Sequence, residues 1–389
     1  MKKWILIGIL FSFTSCWGKD TTQKGDLLVG AERLDVLLPL LGQKRIGLVV
    51  NHTSRIGETH VVDTLLQRGI NIQTIFAPEH GFRGTADAGE LIQDGRDPKT
   101  RLPIISLYGK NKKPSAAQLA SVDILVFDIQ DVGLRFYTYI STMYYVMQAA
   151  AETGKQIIIL DRPNPNGHYV DGPVLEKGFE SFVGIVPIPV VHGMTVGELA
   201  KMFVGENWLG NNYKLDLQVV PCLNYDRNQP YSLPVRPSPN LPNDQAVLLY
   251  ASLCFFEGTE ISLGRGTDFP FQVYGGASST YGTFPFTPVD KPGASNPPLK
   301  GKACYGVDLR QIDARKVGFT LHYLLDAYQK TPKSAPFFLK TNHFNLLAGN
   351  AWLKEMILAG ATEEAMRRAW TPGLDHFKKI RKNYLVYAE

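Results

Sequence analysis

Cysteine is scarce in this chain, four residues in 389, and that scarcity excludes a disulfide-built scaffold. Cys16 belongs to an N-terminal leader, so Cys222, Cys254 and Cys304 are left for the folded part. No pair of them has the spacing of a zinc site or a redox motif, and an odd count gives no disulfide framework; no structural metal is expected. Charge of one sign is scarce too. A formal net charge of +5 is mild for this length, and no run of Lys and Arg marks a nucleic-acid partner. The most basic stretch, with Lys378, Lys379, Arg381 and Lys382, reads as a solvated helix face. Long apolar runs are missing as well: WILIGILF, after Lys2 and Lys3, is too short to span a bilayer as a stable helix. It reads as an export signal over residues 1–16. The small residues before Cys16 resemble a bacterial lipoprotein processing site, with Cys16 acylated; cleavage nearby and plain secretion is the alternative. Residues 17–26, WGKDTTQKGD, then form a polar linker.

Several chemical signatures are also absent. The first strand is not followed by GxGxxG, and GxxxxGK[ST] occurs nowhere; GRGTDF (264–269) lacks a third glycine and opens no clear helix. There is no GxSxG elbow, no SxxK and no HExxH. A bound nucleotide or other cofactor is therefore not expected. Neither is a serine nucleophile or a catalytic zinc.

What the sequence does contain is a set of five short apolar runs, each ending near a polar residue: IGLVVN at Asn51, INIQTIFAPE at Glu79, PIISLYG at Tyr108, VDILVFDIQD at Asp128 and Asp131, and QIIILD at Asp161. Their β-branched content and the helical stretches between them predict buried parallel strands, and so an α/β fold with a Rossmann-like layered sheet. Loops from the carboxyl ends of such strands line one crevice. The long stretch from Pro78 to Leu102 is the kind of loop that a compact domain keeps for function. From Pro163 the texture changes to dense Pro, Gly and aromatics, with short strands such as VPIPVV and KLDLQVV. We therefore expect a Rossmann-like domain over 27–165 and a smaller α+β domain over 166–389 that closes the cleft.

FAPEHGFRG (76–84) is the sharpest candidate site. A carboxyl group in apolar surroundings tends to hold its proton, and a protonated acid in a cleft is what a glycosidic leaving oxygen requires, which points to Glu79. Arg83 offers a planar fork for a carboxylate, and His80 lies beside the turn. A buried ion pair of Glu79 with Arg83 or Arg135 is the structural alternative. In DIQDVGLRFYTY (128–139), Asp128 and Asp131 could orient Glu79 or activate water, Gln130 and Arg135 could bind polar groups, and Tyr137 or Tyr139 could stack on a pyranose. DRPNPNG (161–167) offers Asp161 and Asn164 for hydroxyls, or else is a rigid junction. HGMT supplies His192, with Thr195 a helix N-cap. The loop FFEGTEISLGRGTDFPFQ (255–272) adds Glu257, Arg265 and Thr267, with Arg265 suited to an anion.

In this order, FAPEHGFRG, DIQDVGLRFYTY, DRPNP, HGMT and EGTEISLGRGTDFPFQ resemble the exo-acting β-N-acetylmuramidases, a bacterial family long catalogued as a domain of unknown function. The resemblance runs from about Gly30 to the C-terminus. It implies a Rossmann-like domain, a smaller C-terminal domain and an active cleft between them. It also implies release of N-acetylmuramic acid from the non-reducing end of peptidoglycan fragments, with Glu79 of the EHG motif as acid/base. The lactyl carboxylate of that sugar could meet Arg83, Arg135 or Arg265, and Asp128 and Asp131 are candidates for a partner carboxylate. Retaining, inverting and substrate-assisted routes stay open. The partners expected are peptidoglycan saccharides, with a membrane reached only through a lipid on Cys16; export would place the chain in the periplasm or tethered to a membrane. Two other readings stand beside this one: a non-catalytic exported muropeptide-binding protein, and an oxidoreductase or nucleotide-sugar enzyme.

Overall fold

The computed structural model describes residues 25–79, 81–82 and 94–389; Cys16, His80 and Arg83 lie outside the described residues. The apolar runs form strands β1 (Ile46–Val50), β4 (Ile72–Ala77), β6 (Pro103–Ser106), β7 (Ile124–Asp128) and β8 (Gln156–Leu160). A small hairpin of β2 (Arg55–Ile56) and β3 (Thr59–His60) follows β1, and β5 (Gly95–Arg96) precedes β6. Between the strands lie α1 (Leu34–Leu41), α2 (Val61–Gln67), α3 (Ala116–Leu119) and α4 (Tyr139–Thr153), the last ended by Gly154 in the left-handed conformation. The chain continues through an antiparallel pair, β9 (Asp171–Val174) and β10 (Pro189–Val191), then α5 (Val196–Gly205) and β11 (Leu217–Val220). Thr195 caps α5 through a capping box with Glu198.

The seven-stranded sheet has the order β11-β8-β7-β1-β4-β6-β5, parallel except for β5 at one edge. Read from β6 to β11, its parallel strands follow the 3-2-1-4-5-6 order of doubly wound sheets. Strand alternation explains why the runs look continuously apolar. Leu48, Val50, Val126, Ile158 and Leu160 face α1 and α2, packing with Leu37, Leu41, Val61 and Leu65. Their neighbours Val49, Phe127, Ile157 and Ile159 face the other way, into a core with Met143, Met147, Leu199 and Phe203 of α4 and α5.

One expectation about the domains needs correction. KLDLQVV, expected in the second domain beyond residue 165, instead places Leu217–Val220 in parallel with β8 as an edge strand of the main sheet. The helix α5 makes the crossover, so the sheet layer continues past that boundary. The rest of the chain comprises α6 (Asp244–Leu253), continued by a 3-10 turn over Cys254–Gly258, a three-stranded sheet, and five further helices. That sheet has the order β12 (Val273–Gly276), β14 (Cys304–Asp308), β13 (Phe284–Phe286). The helices are α7 (Ala314–Val317), α8 (His322–Lys330), α9 (His343–Ala348), α10 (Trp352–Leu358) and α11 (Glu363–Arg381). A single core runs from α4 and α5 into α6, α9 and α11, so the two regions share apolar packing across the cleft.

Candidate active site

Loops leaving the carboxyl ends of β4, β6 and β7 face the end of α6 and the loop after it across a cavity of about 490 Å³, a volume suited to a sugar-sized ligand. Glu79 stands at the end of β4, two residues past its last strand position. Its Oε2 accepts a 2.7 Å hydrogen bond from the Thr138 hydroxyl at the start of α4. Tyr108, just beyond β6, lines the cavity beside the same carboxyl group; burial first, and then the Glu79 charge, hold the phenol proton well above its ordinary range. The Tyr139 hydroxyl lies 3.5 Å from the Glu79 carbonyl, and its proton is likewise held by burial and by Glu79. Tyr137 packs edge-on against Tyr139 with ring centroids 4.9 Å apart, and its hydroxyl donates to the Pro237 carbonyl at 2.7 Å. The Thr138 hydroxyl thus fixes the Glu79 carboxyl from the sheet side.

The opposite wall carries an ion pair. Arg265 donates Nε and Nη2 to Glu257 Oε1 at 3.0 and 2.5 Å, and its guanidinium lies over the Phe271 ring, 5.0 Å from the centroid. Nη1 takes no part in that pair. Lys112 adds a second cation to the lining, stacked over Phe182 at 4.7 Å, and Asn240, Tyr250 and His343 complete the polar wall. Sequence reasoning missed Lys112, Asn240 and His343, because each sits in a stretch without a motif and only the fold carries it to the cavity.

The other expected site residues are used elsewhere. Asp128, offered as a partner for Glu79, is wholly buried and makes a bidentate pair with Arg162, Nε to Oδ1 at 2.6 Å and Nη2 to Oδ2 at 3.0 Å. Ser54 donates its hydroxyl to the Asp128 carbonyl, and Asn51 Oδ1 accepts from both the amide and the hydroxyl of Thr53. These groups fill the point between β1 and β7 where the strand order reverses, the usual ligand crevice of a doubly wound sheet, so the cavity opens farther along, at β4, β6 and β7. Gln130 donates to the carbonyls of Asp131 and Pro163. Arg135 is spent on four carbonyls: Pro173, Ile188, Leu347 and Ala348. Asp161 accepts from the Gly197 amide and from the hydroxyls of Thr195 and Tyr387, anchoring α5 and the C-terminal segment. Asn164 donates to the Met194 carbonyl at 2.8 Å, and it packs against Gly133, where a Cβ would meet its Oδ1 at 2.0 Å. With φ at +82°, that position demands glycine for two reasons. Thr267 closes a turn on the Gly264 carbonyl. DRPNP and HGMT are therefore junctions of the fold, away from the cavity wall.

Asp131 and His192 lie behind the tyrosines, with His192 Nε2 3.8 Å from Asp131 Oδ2. Both are driven toward their neutral forms: burial pushes the Asp131 carboxyl up to about 7, and burial followed by the Arg381 charge pushes His192 down to about 3. His192 Nδ1 accepts from the Met194 amide, which leaves the ring proton on Nε2. A carboxyl held above its unfolded value of about 3.9 stabilises the fold below that pH, and the contribution is lost as pH rises to about 7. Asp131→Asn is therefore expected to gain Tm relative to the parent chain as pH is raised across that window. A Tm difference that stays level from about pH 4 to 7 would contradict the assignment.

Comparison with known proteins identifies the family of the chain. A family model described as exo-beta-N-acetylmuramidase NamZ, N-terminal, matches residues 46–245, and its C-terminal counterpart matches 248–387, with the division falling inside α6. The peptidoglycan beta-N-acetylmuramidase NamZ of Bacillus subtilis (strain 168) is 40% identical over 379 residues, covering 91% of this chain and 90% of the relative. Crystal structures of two DUF1343 family proteins from Bacteroides fragilis NCTC 9343 are similar over most of the chain. One has a TM-score of 0.87 at 47% identity, covering 94% of this chain and 100% of its own. The other has a TM-score of 0.81 at 29% identity, covering 93% and 99%. With both halves of the family matched in order, the chain belongs to the exo-β-N-acetylmuramidase NamZ family.

Proposed function

We propose that this chain is an exo-β-N-acetylmuramidase, a glycoside hydrolase that removes N-acetylmuramic acid from the non-reducing end of peptidoglycan fragments. Family membership gives the reaction class. The observation that carries the assignment of residues is Glu79, hydrogen-bonded by Thr138 and flanked by Tyr108 in a cavity whose far wall holds Arg265. In this reading Glu79 protonates the leaving glycosidic oxygen and afterwards takes the proton of the attacking water. Tyr137 and Tyr139, almost wholly buried and packed edge-on to each other, back the cavity wall behind Glu79. Arg265 presents Nη1 to the lactyl carboxylate, the group that separates muramic acid from glucosamine. The leader sequence supports export, with Cys16 as the acylated residue and the periplasm or a membrane surface as the location; incorporation of labelled fatty acid at Cys16 checks it.

The test is the rate of aglycone release from a chromogenic β-N-acetylmuramide and from the matching β-N-acetylglucosaminide. The muramide should be cleaved far faster. Arg265→Met should narrow that preference by about ten- to a hundredfold in kcat/KM, since a charge-assisted hydrogen bond contributes about 1.5–3 kcal/mol. Binding of muropeptides without cleavage by well-folded protein would favour a non-catalytic role. An Arg265→Met enzyme with an undiminished preference would move lactyl recognition elsewhere, with Lys112 the next cation to change.

A further inference from the structure

With Asp128 and Asp131 buried away from the cavity, only two carboxylates line it among the described residues: Glu79 from the sheet side and Glu257 from the opposite wall. Resting on the muramidase reading, we infer that Glu257 is the second catalytic carboxylate. It accepts the N–H of the substrate's 2-acetamido group while Arg265 holds the neighbouring lactyl carboxylate.

The chemistry of the sugar matches the chemistry of the pair. On muramic acid the acetamido group on C2 and the lactyl ether on C3 are adjacent substituents, one presenting an N–H donor and the other a carboxylate. Glu257 and Arg265 stand side by side, an acceptor and a donor joined at 2.5 and 3.0 Å. Both arginine bonds go to Oε1; Oε2 has only the weak Cys254 thiol donor at 3.5 Å, so acceptor capacity remains. The side chain is 24% exposed, open to the cavity rather than sealed in the core. Its backbone is clamped: Glu257 lies in the 3-10 turn Cys254–Gly258, where a Cβ on Gly258 would come within 2.6 Å of the Phe344 Cα. A carboxylate fixed by an arginine and a tight turn is pre-organised for a charge that appears only in the transition state.

The step balances without a further reagent. As the bond from C1 to the glycosidic oxygen breaks, its electron pair goes to the leaving oxygen, which takes the proton of Glu79. The acetamido carbonyl oxygen then bonds to C1, giving a cyclic oxazolinium whose N–H is far more acidic than the parent amide. Glu257 holds that proton, or accepts it and returns it to the nitrogen as the ring reopens. Water attacks C1 with its proton passing to Glu79, the ring reopens, and the configuration at C1 is retained.

Two measurements on the full chain test this. For the parent enzyme, a series of muramides whose acetyl group carries one, two or three fluorines should show kcat/KM falling with each fluorine, as the internal nucleophile weakens. Glu257→Gln, shown by its thermal midpoint to be folded, should lose about 10²–10³-fold in kcat and lose its tight binding of a muramic thiazoline, the stable mimic of the cyclic intermediate. Glu257→Asp keeps the charge and is the second variant if the glutamine does not fold; it should show a smaller loss in kcat and an Arg265-dependent KM. Rates indifferent to fluorination, or an unchanged kcat in either folded variant, would overturn the role of Glu257 while leaving the muramidase reading intact. Failure of the parent enzyme to cleave any muramide would overturn that reading itself.

Discussion

Glu79→Gln is expected to lower kcat on a phenyl β-N-acetylmuramide by about 10²–10⁴-fold with little change in KM, because the carboxylic acid is needed in the transition state and not for binding. The glutamine amide can occupy the same space between Thr138 and Tyr108, so the fold should survive. A second dependence separates an acid from a merely structural group. As the phenol leaving group is made more acidic it needs less protonation, so the deficit of the variant should shrink steadily from phenyl to dinitrophenyl glycosides. A constant deficit across the series would mean that Glu79 positions the substrate. An undiminished rate on the phenyl glycoside would remove it from the mechanism.

The largest expected effect on stability comes from Arg135. It is fully buried, and it has no carboxylate partner among its hydrogen bonds. Nη1 donates to Pro173 and Ile188 at 2.7 and 3.0 Å, and Nη2 to Leu347 and Ala348 at 2.8 and 2.9 Å. Burial lowers its pKa to about 9, which still leaves it charged at neutral pH. One guanidinium therefore ties β9 and the lead into β10 to the carboxyl end of α9, where helix carbonyls favour a cation. Arg135→Met keeps most of the volume but strands four buried carbonyls, each costing about 1–3 kcal/mol when unsatisfied. Even with strong non-additivity the loss should exceed about 4 kcal/mol, a large part of the stability of an ordinary domain. Thermal unfolding is the measurement, and a midpoint within two or three degrees of the parent chain would show that water or repacking replaces the guanidinium.

The sheet was legible in the sequence because burial on both faces leaves strands no polar positions; IGLVV, ILVFD and QIIIL could hardly be amphipathic. KLDLQVV was harder to place. Three of its four strand positions, Leu217, Gln218 and Val219, are only half-buried at the sheet edge, so its pattern resembles that of any short strand, and only pairing with β8 assigns it. In the site, Glu79, Tyr137, Tyr139, Glu257 and Arg265 were legible as polar or aromatic residues at strand ends and on a glycine-rich loop, and all five line the cavity. Asp128, Asp131, Asp161 and Asn164 carried the same local signal but serve the fold. Nothing in one sequence tells a carboxylate that faces a cavity from one that caps a helix or neutralises a buried arginine; Arg162 and Thr195, their partners, are distant from them in sequence or unremarkable beside them. Lys112 and His343 were illegible for the opposite reason. They belong to surface-like stretches that approach Glu79 only once α4 and α9 pack on the shared core.

The most direct measurement is product analysis by mass spectrometry, after purified full-length protein is incubated with peptidoglycan fragments ending in non-reducing N-acetylmuramic acid. Free N-acetylmuramic acid, released from that end alone and not by the Glu79→Gln protein, is the expected result. Fragments that remain intact, or internal cleavage that leaves the terminal muramic acid attached, would contradict an exo-acting muramidase built around Glu79.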